Sequence, residues 1–233
     1  MTQKNNKIAI YINIVLGIFL LIATICFMQI PTNKYVTKSI ASSIFVLTGI
    51  FNFVLVCKQW QFKKSWKEIL LVVGLFFAML GDIILIGNFI VGALFFALGH
   101  IFFTIYFCTL QKLTWIDIVC WILLITLAML LIFLYPNFEF DGLQILVAIY
   151  ATIISIMLGK AIGNFIIRKN TPNFISFLGA ILFFFSDLML LFYVFGGHNV
   201  IFDYLCVYSY YPAEFLLAIS VLLQSKTRNA FKD

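Results

Sequence analysis

Apolar residues run along this chain in eight long, unbroken stretches: 8–30, 39–57, 69–87, 89–110, 118–135, 143–167, 174–195 and 204–224. None shows the strict apolar–polar alternation of a membrane barrel strand. Each is long enough, as a helix rising roughly 1.5 Å per residue, to cross a hydrocarbon core about 30 Å thick. The breaks between them are short and polar or contain proline. Pro31, Pro136 and Pro172 all fall at boundaries, where a helix is expected to stop. Gly87-Asn88 leaves room only for a tight hairpin between the third and fourth stretches. The pattern predicts an all-α membrane protein, a polytopic bundle of eight transmembrane helices forming one integral membrane domain over residues 1–233. The first stretch follows Lys4 and Lys7 but is too long for a signal-peptide core and has no small-x-small cleavage site. Ala23-Thr24-Ile25 before Cys26 makes a poor lipoprotein signal. It is read as the first spanning helix.

Composition agrees with this reading. Apolar residues make up 64% of the chain and charged residues 10%, and the mean hydropathy is +1.12. A soluble domain carries about 25% charged residues and could not hide so much apolar surface. The few charges are unevenly placed. With eight spans, one side collects Lys4, Lys7, Lys58, Lys63, Lys64, Lys67, Lys112, Lys160, Arg168, Lys169, Lys226, Arg228 and Lys232. The other side holds only Lys34 and Lys38, with Glu139, Asp141 and Asp203. Positive charge marks the cytoplasmic face, so both termini are expected there, in a plasma-membrane protein. The same asymmetry accounts for the net charge of +6 through anionic lipid, without nucleic acid as a partner. The five cysteines (Cys26, Cys57, Cys108, Cys120 and Cys206) are scattered and form no CxxC pair. They fit neither a disulfide framework nor a thiolate metal site.

Against this apolar background, Asp82, His100, Asp187 and Glu214 lie well inside stretches three, four, seven and eight. An acid at the centre of a spanning helix costs about 2.5–3.5 kcal/mol on insertion scales, so such groups face the protein interior and mark function. Asp82 and Asp187 each lie about 20 Å along helices that rise from the same side, at similar depth in the outer half of the membrane. Lys38 opens the second helix on that side, where its ammonium can point inward. Ala93, Ala97 and His100 share one helical face, and Tyr210 and Tyr211 precede Glu214 by about one turn. Pro212 is expected to kink the last helix. Tyr150, Met157 and Lys160 form a stripe, read as packing with a snorkelling lysine. Three acids opposite one or two cations are not all expected to be ionised. One neutral and one ionised carboxyl is the arrangement that paired general acid and base work requires.

These residues resemble a known family, the YhhN-like membrane proteins or lysoplasmalogenases, over most of the chain, roughly residues 38–220. The matching features are Thr37-Lys38 opening the second helix and Leu80-Gly81-Asp82 in AMLGDIILI. Gly99-His100 follows in ALGHIFFTIYF, then Tyr150 and Met157. Gly179-Ala180 and Ser186-Asp187 match in LGAILFFFSDLMLLF, and Tyr211 in the YYPAE stretch. The chain departs from the family pattern in three places. Ser39 follows the lysine where proline is usual, Phe103 replaces a tyrosine, and Glu214 stands where glutamine is usual.

The resemblance implies hydrolysis of the vinyl ether bond of lysoplasmalogen, giving a fatty aldehyde and a glycerophospho-head group. That chemistry needs an acid to protonate the alkene and a base to activate water, a demand shared with glycoside hydrolysis. The expected catalytic pair is Asp82 and Asp187. Lys38, His100, Tyr150, Ser186, Tyr211 and Glu214 are expected to bind substrate or support the pair, with Lys38 contacting the phosphate. The expected partners are a lysolipid and the surrounding membrane lipids. No cofactor is expected. A zinc hydrolase is a poor fit, because it needs about three ligands and only two histidines exist, with His198 in an outer loop. The alternative is a proton-coupled transporter or a lipid-binding membrane protein.

Overall fold

A computed structural model describes residues 3–30, 33–60 and 65–227. Pro31, Lys63, Lys64, Arg228 and Lys232 lie outside the described residues. Eight helices follow in order: α1 Gln3–Gln29, α2 Lys34–Trp60, α3 Trp66–Ile84, α4 Phe89–Leu110, α5 Trp115–Leu134, α6 Gln144–Ile167, α7 Thr171–Phe195 and α8 Val200–Thr227. Among the described residues there is no strand. Seven of the helices are long and apolar enough to cross a membrane. The exception is α3, whose 19 residues include Lys67, Glu68 and Asp82. It packs between α2 and α4 and against α8, within the bundle. The chain is an integral, multi-pass membrane protein.

The helix ends follow from local chemistry. Asn88 caps α4 by accepting a bond from the Val91 amide, and Asn170 caps α7 by accepting from Asn173. Pro172 sits in the first turn of α7, where its missing N–H costs nothing. Thr114 and Asp117 form a capping box at α5. Several helix ends shift relative to the apolar runs, and α1 begins at Gln3. α2 begins at Lys34, which places Lys38 one turn inside the helix. α8 begins at Val200 and runs through Pro212 as one helix.

Contacts along the bundle show helices consecutive in the chain running antiparallel. In the α3–α4 hairpin, Gly74 lies against the Gly99 carbonyl and Gly81 against the Gly92 carbonyl. A side chain at either α3 glycine would collide with the Phe103 or Phe96 ring, so small residues set this close approach. α8 is the most buried span and packs against α7, α2, α1 and α3. Asn52 exchanges hydrogen bonds with Asn13 and donates to the Ala218 carbonyl, tying α1, α2 and α8 together. α5 stands apart. Its backbone packs against α6 and against no other helix among the described residues.

Lys160 departs from the expected snorkelling. Its side chain is fully buried, with Nζ 2.9 Å from Asp117 and 3.1 Å from the Lys112 carbonyl. Asp117 also accepts from the Thr114 amide and hydroxyl. Lys160 therefore fastens the start of α5 to α6 and is not a surface charge. Asp117, itself buried, supplies the counter-charge.

Candidate functional site

The intramembrane polar residues gather into two hydrogen-bonded groups at neighbouring levels of the bundle. Asp82 follows Gly81, which packs on Gly92 of α4. Asp187 lies one turn beyond Phe183, whose ring meets Phe96, one turn along α4 from Gly92.

The first group joins α2, α3 and α8 around Asp82. Lys38 Nζ lies 2.9 Å from Asp82 Oδ1. Ser42 and Tyr211 donate to Oδ2 at 2.6 and 3.0 Å. Both oxygens are thus engaged, by one full cation and two hydroxyls, which is a setting for an ionised carboxylate. Lys38 also lies 5.5 Å from the Phe27 ring centre, near the limit for a cation–π contact. Its ammonium is thus committed to Asp82 and does not stand free at the outer rim. Ser42 is one helical turn after Lys38, so the pair was visible in the sequence as an i, i+4 face, yet the hydroxyl was not singled out.

The second group joins α4, α6 and α7 around Asp187. Tyr150 donates to Asp187 Oδ2 at 2.6 Å, and His100 Nε2 lies 3.2 Å from the same oxygen and 3.0 Å from the Tyr150 hydroxyl. The His100 ring is fully buried and lies edge-on to Phe183, with ring centres 4.5 Å apart. Unlike Asp82, Asp187 has one oxygen, Oδ1, with no hydrogen bond among the described residues.

Glu214 interacts electrostatically with both Asp82 and Asp187. It is fully buried, and neither carboxyl oxygen has a hydrogen-bond partner among the described residues. Tyr210 packs edge-on against Phe96 and Phe183 and donates to the Ala78 carbonyl, which fills the space between the groups with aromatic rings. Ser186 is not brought to either acid. It donates to the Cys206 carbonyl and so fastens α7 to α8.

Beside the second group lies a cavity of about 290 Å³ bounded by α4, α5, α6 and α7. Its walls are leucine, isoleucine, valine, alanine and phenylalanine, and its polar lining is Tyr150 and Asp187. Asp82 is not on its wall. A cavity with this lining places one carboxyl and one phenol at the end of a hydrocarbon-like space.

The arrangement offers a proton donor or acceptor to an apolar molecule at Asp187, and a second, ion-paired carboxylate at a similar depth. Among the described residues no group of three histidine, cysteine or acidic side chains is placed to hold a metal ion. No curated protein and no solved structure matches this chain. The sequence does match the YhhN family over residues 40–221, which takes in every helix from α2 to α8 and all the intramembrane groups above except Lys38. The chain belongs to the YhhN family.

Proposed function

We propose that this protein is a membrane-embedded hydrolase that cleaves the vinyl ether bond of lysoplasmalogen-type lysolipids, with Asp187 as the carboxyl that meets the substrate. The observation that carries this reading is the position of Asp187. It sits on the wall of an apolar cavity, with one oxygen held by Tyr150 and His100 and the other unengaged. Family membership supports the same reaction class.

In the proposed reaction, Asp187 transfers its proton to the alkene carbon β to the ether oxygen. The alkene electron pair forms the new C–H bond, and the adjacent carbon and oxygen become an oxocarbenium ion. Water adds to that carbon and gives up a proton, producing a hemiacetal. The hemiacetal collapses as its hydroxyl proton passes to the glycerol oxygen and the C–O bond breaks, leaving aldehyde and alcohol. Asp187 regains a proton over the cycle. Tyr150 and His100 hold the carboxyl in place and stabilise the charge it acquires after donation. Asp82 is assigned as the second carboxylate, the base toward water. This is supported by its three donors, which favour the anion. Lys38 serves Asp82 and not the substrate phosphate. The protein is placed in the cell membrane with both termini cytoplasmic, so the two acids lie in its outer half.

The test is aldehyde release by purified protein in detergent, with a vinyl ether lysolipid as substrate and its saturated ether analogue as control. Aldehyde from the first and none from the second is expected. A proton-coupled carrier would release none from either, since it needs a sealed compartment to act.

A further inference from the structure

The cavity beside Asp187 has one wall unlike the others. α4, α6 and α7 pack into the bundle, but among the described residues the backbone of α5 packs closely on α6 alone. Between α5 and the α4 and α7 walls lies the cavity, with no close backbone packing across it among the described residues. Leu124, Ala128 and Leu131 of α5 line it at i, i+4 and i+7, one face of the helix. Leu127, also on the lining, is 57% exposed to the outside of the bundle. For a membrane-spanning helix that outside is acyl chain, not water, so the gap beside α5 opens onto hydrocarbon.

We infer that this cavity is the subsite for one unbranched hydrocarbon tail of a single-chain lipid, entering sideways from the bilayer past α5. The inference rests on the hydrolase reading for the chemistry at Asp187, and it names where the substrate's tail lies. The observations favour this occupant over others. A cavity with this lining repels water, which needs two to four polar partners. Its volume of about 290 Å³ holds a segment of about ten methylenes, each close to a water molecule's share of roughly 30 Å³. Its polar locus, Tyr150 and Asp187, fits the position where the alkyl chain meets its ether oxygen.

The tail gains little affinity by entering, because bilayer chains are as apolar as leucine. What the subsite provides is position: it fixes the first carbons of the chain against Asp187. Filling the cavity should therefore depress turnover rather than membrane partitioning. α5 forms the wall because it is held at one end by Lys160–Asp117, and its backbone packs closely along its length on α6 alone among the described residues, through contacts such as Trp121 Nε1 to the Ile156 carbonyl. The remaining flank can part to admit a chain.

The experiment uses a saturated alkyl-ether lysophospholipid carrying a diazirine at the end of its chain, which binds but has no vinyl ether to cleave. Irradiated with the purified protein and mapped by peptide, it is expected to crosslink the cavity face of α5 and the facing walls. Ala128→Trp, which fills the cavity, should reduce this crosslinking to the level of lipid-facing positions. Leu123→Trp, on the outer face of α5 where Leu123 is 58% exposed, should leave it unchanged. Ala151→Leu provides a milder filling if the tryptophan variant does not fold. In folded variants aldehyde release should drop roughly a hundredfold, the scale expected when reacting atoms are misplaced by about an ångström. Crosslinks spread evenly over the lipid face, unchanged by filling, would overturn the subsite. So would wild-type turnover in folded Ala128→Trp and Ala151→Leu, which leaves the hydrolase reading intact. Crosslinks confined to the cavity, with no aldehyde from the matched vinyl ether lipid, support the subsite and overturn the hydrolase.

Discussion

The Lys38–Asp82 pair allows the catalytic and structural roles of a buried acid to be separated. The two side chains are 11% and 5% exposed and lie 2.9 Å apart. Asp82→Asn keeps the size of the side chain and an acceptor for Ser42 and Tyr211, but leaves the Lys38 ammonium without its counter-charge. Breaking a buried pair from one side costs about 3–5 kcal/mol. Lys38 retains slight exposure, so the lower figure, ~3 kcal/mol, is expected. Lys38→Met leaves the Asp82 anion with two hydroxyl donors and no cation, at a similar cost. The double variant Lys38→Met/Asp82→Asn removes both charges, and replacing a whole pair is often neutral. Thermal unfolding in detergent should therefore show two destabilised single variants and a double variant near wild type. Turnover should follow a different pattern. If Asp82 is the base toward water, Asp82→Asn and the double variant both lose roughly a hundredfold or more in kcat, the scale of general acid–base catalysis. Lys38→Met keeps the carboxylate and should lose less. Recovery of turnover together with stability in the double variant would show that Asp82 only neutralises Lys38, and would refute its catalytic assignment.

Asp187→Asn should lower kcat by roughly a hundredfold or more with little loss of stability, since Tyr150 keeps an acceptor. Near-normal turnover in the folded variant would remove Asp187 from the mechanism. Glu214→Gln should leave unfolding temperature and kcat close to wild type, because the carboxyl has no donor to lose; a collapse of kcat in folded protein would make Glu214 a proton carrier between the two groups. Lys160→Met should lower the unfolding temperature, by about 3–5 kcal/mol of stability, without changing kcat per folded molecule. A reporter fused at the C-terminus should read cytoplasmic and one inserted at Asn199 external; the reverse would sink the orientation.

Much of the fold was legible because a bilayer imposes one strong constraint. Every backbone polar group must be satisfied within the span, so continuous apolar runs become helices. The runs locate all eight helices, and the hairpin at Gly87-Asn88 falls where α3 gives way to α4. The ends were less legible. α2 and α8 extend beyond their apolar runs through Lys34, Tyr35, Val200 and Asp203, because a helix continues into the polar interface as long as nothing breaks it. Pro212 did not interrupt α8, which suits a setting where neighbouring helices can satisfy freed carbonyls. Lys160 misled for a related reason. Its partner, Asp117, lies 43 residues away in the chain, and nothing local to either residue reveals the pair.

The candidate site was legible in its residues but not in its partition. Cost alone selects Asp82, His100, Asp187 and Glu214, because an ionisable group in hydrocarbon must have a reason to be there. Cost does not say which group each residue joins. That depends on how α8 and α7 are rotated, and here Tyr211 turns to Asp82 while Tyr150 of α6 turns to Asp187. The two acids therefore differ in a way no spacing predicts. Asp82 has three donors, one of them a lysine, and is not on the wall of the cavity beside Asp187. Asp187 has a phenol, an imidazole, an unengaged oxygen and a cavity lined with hydrocarbon side chains. A proton can be given to an apolar molecule only by an acid that the molecule can reach. An acid whose oxygens are all occupied by cationic and hydroxyl donors is held as an anion. The division of labour proposed here follows from that difference in surroundings, and it is why the proposal puts the substrate at Asp187.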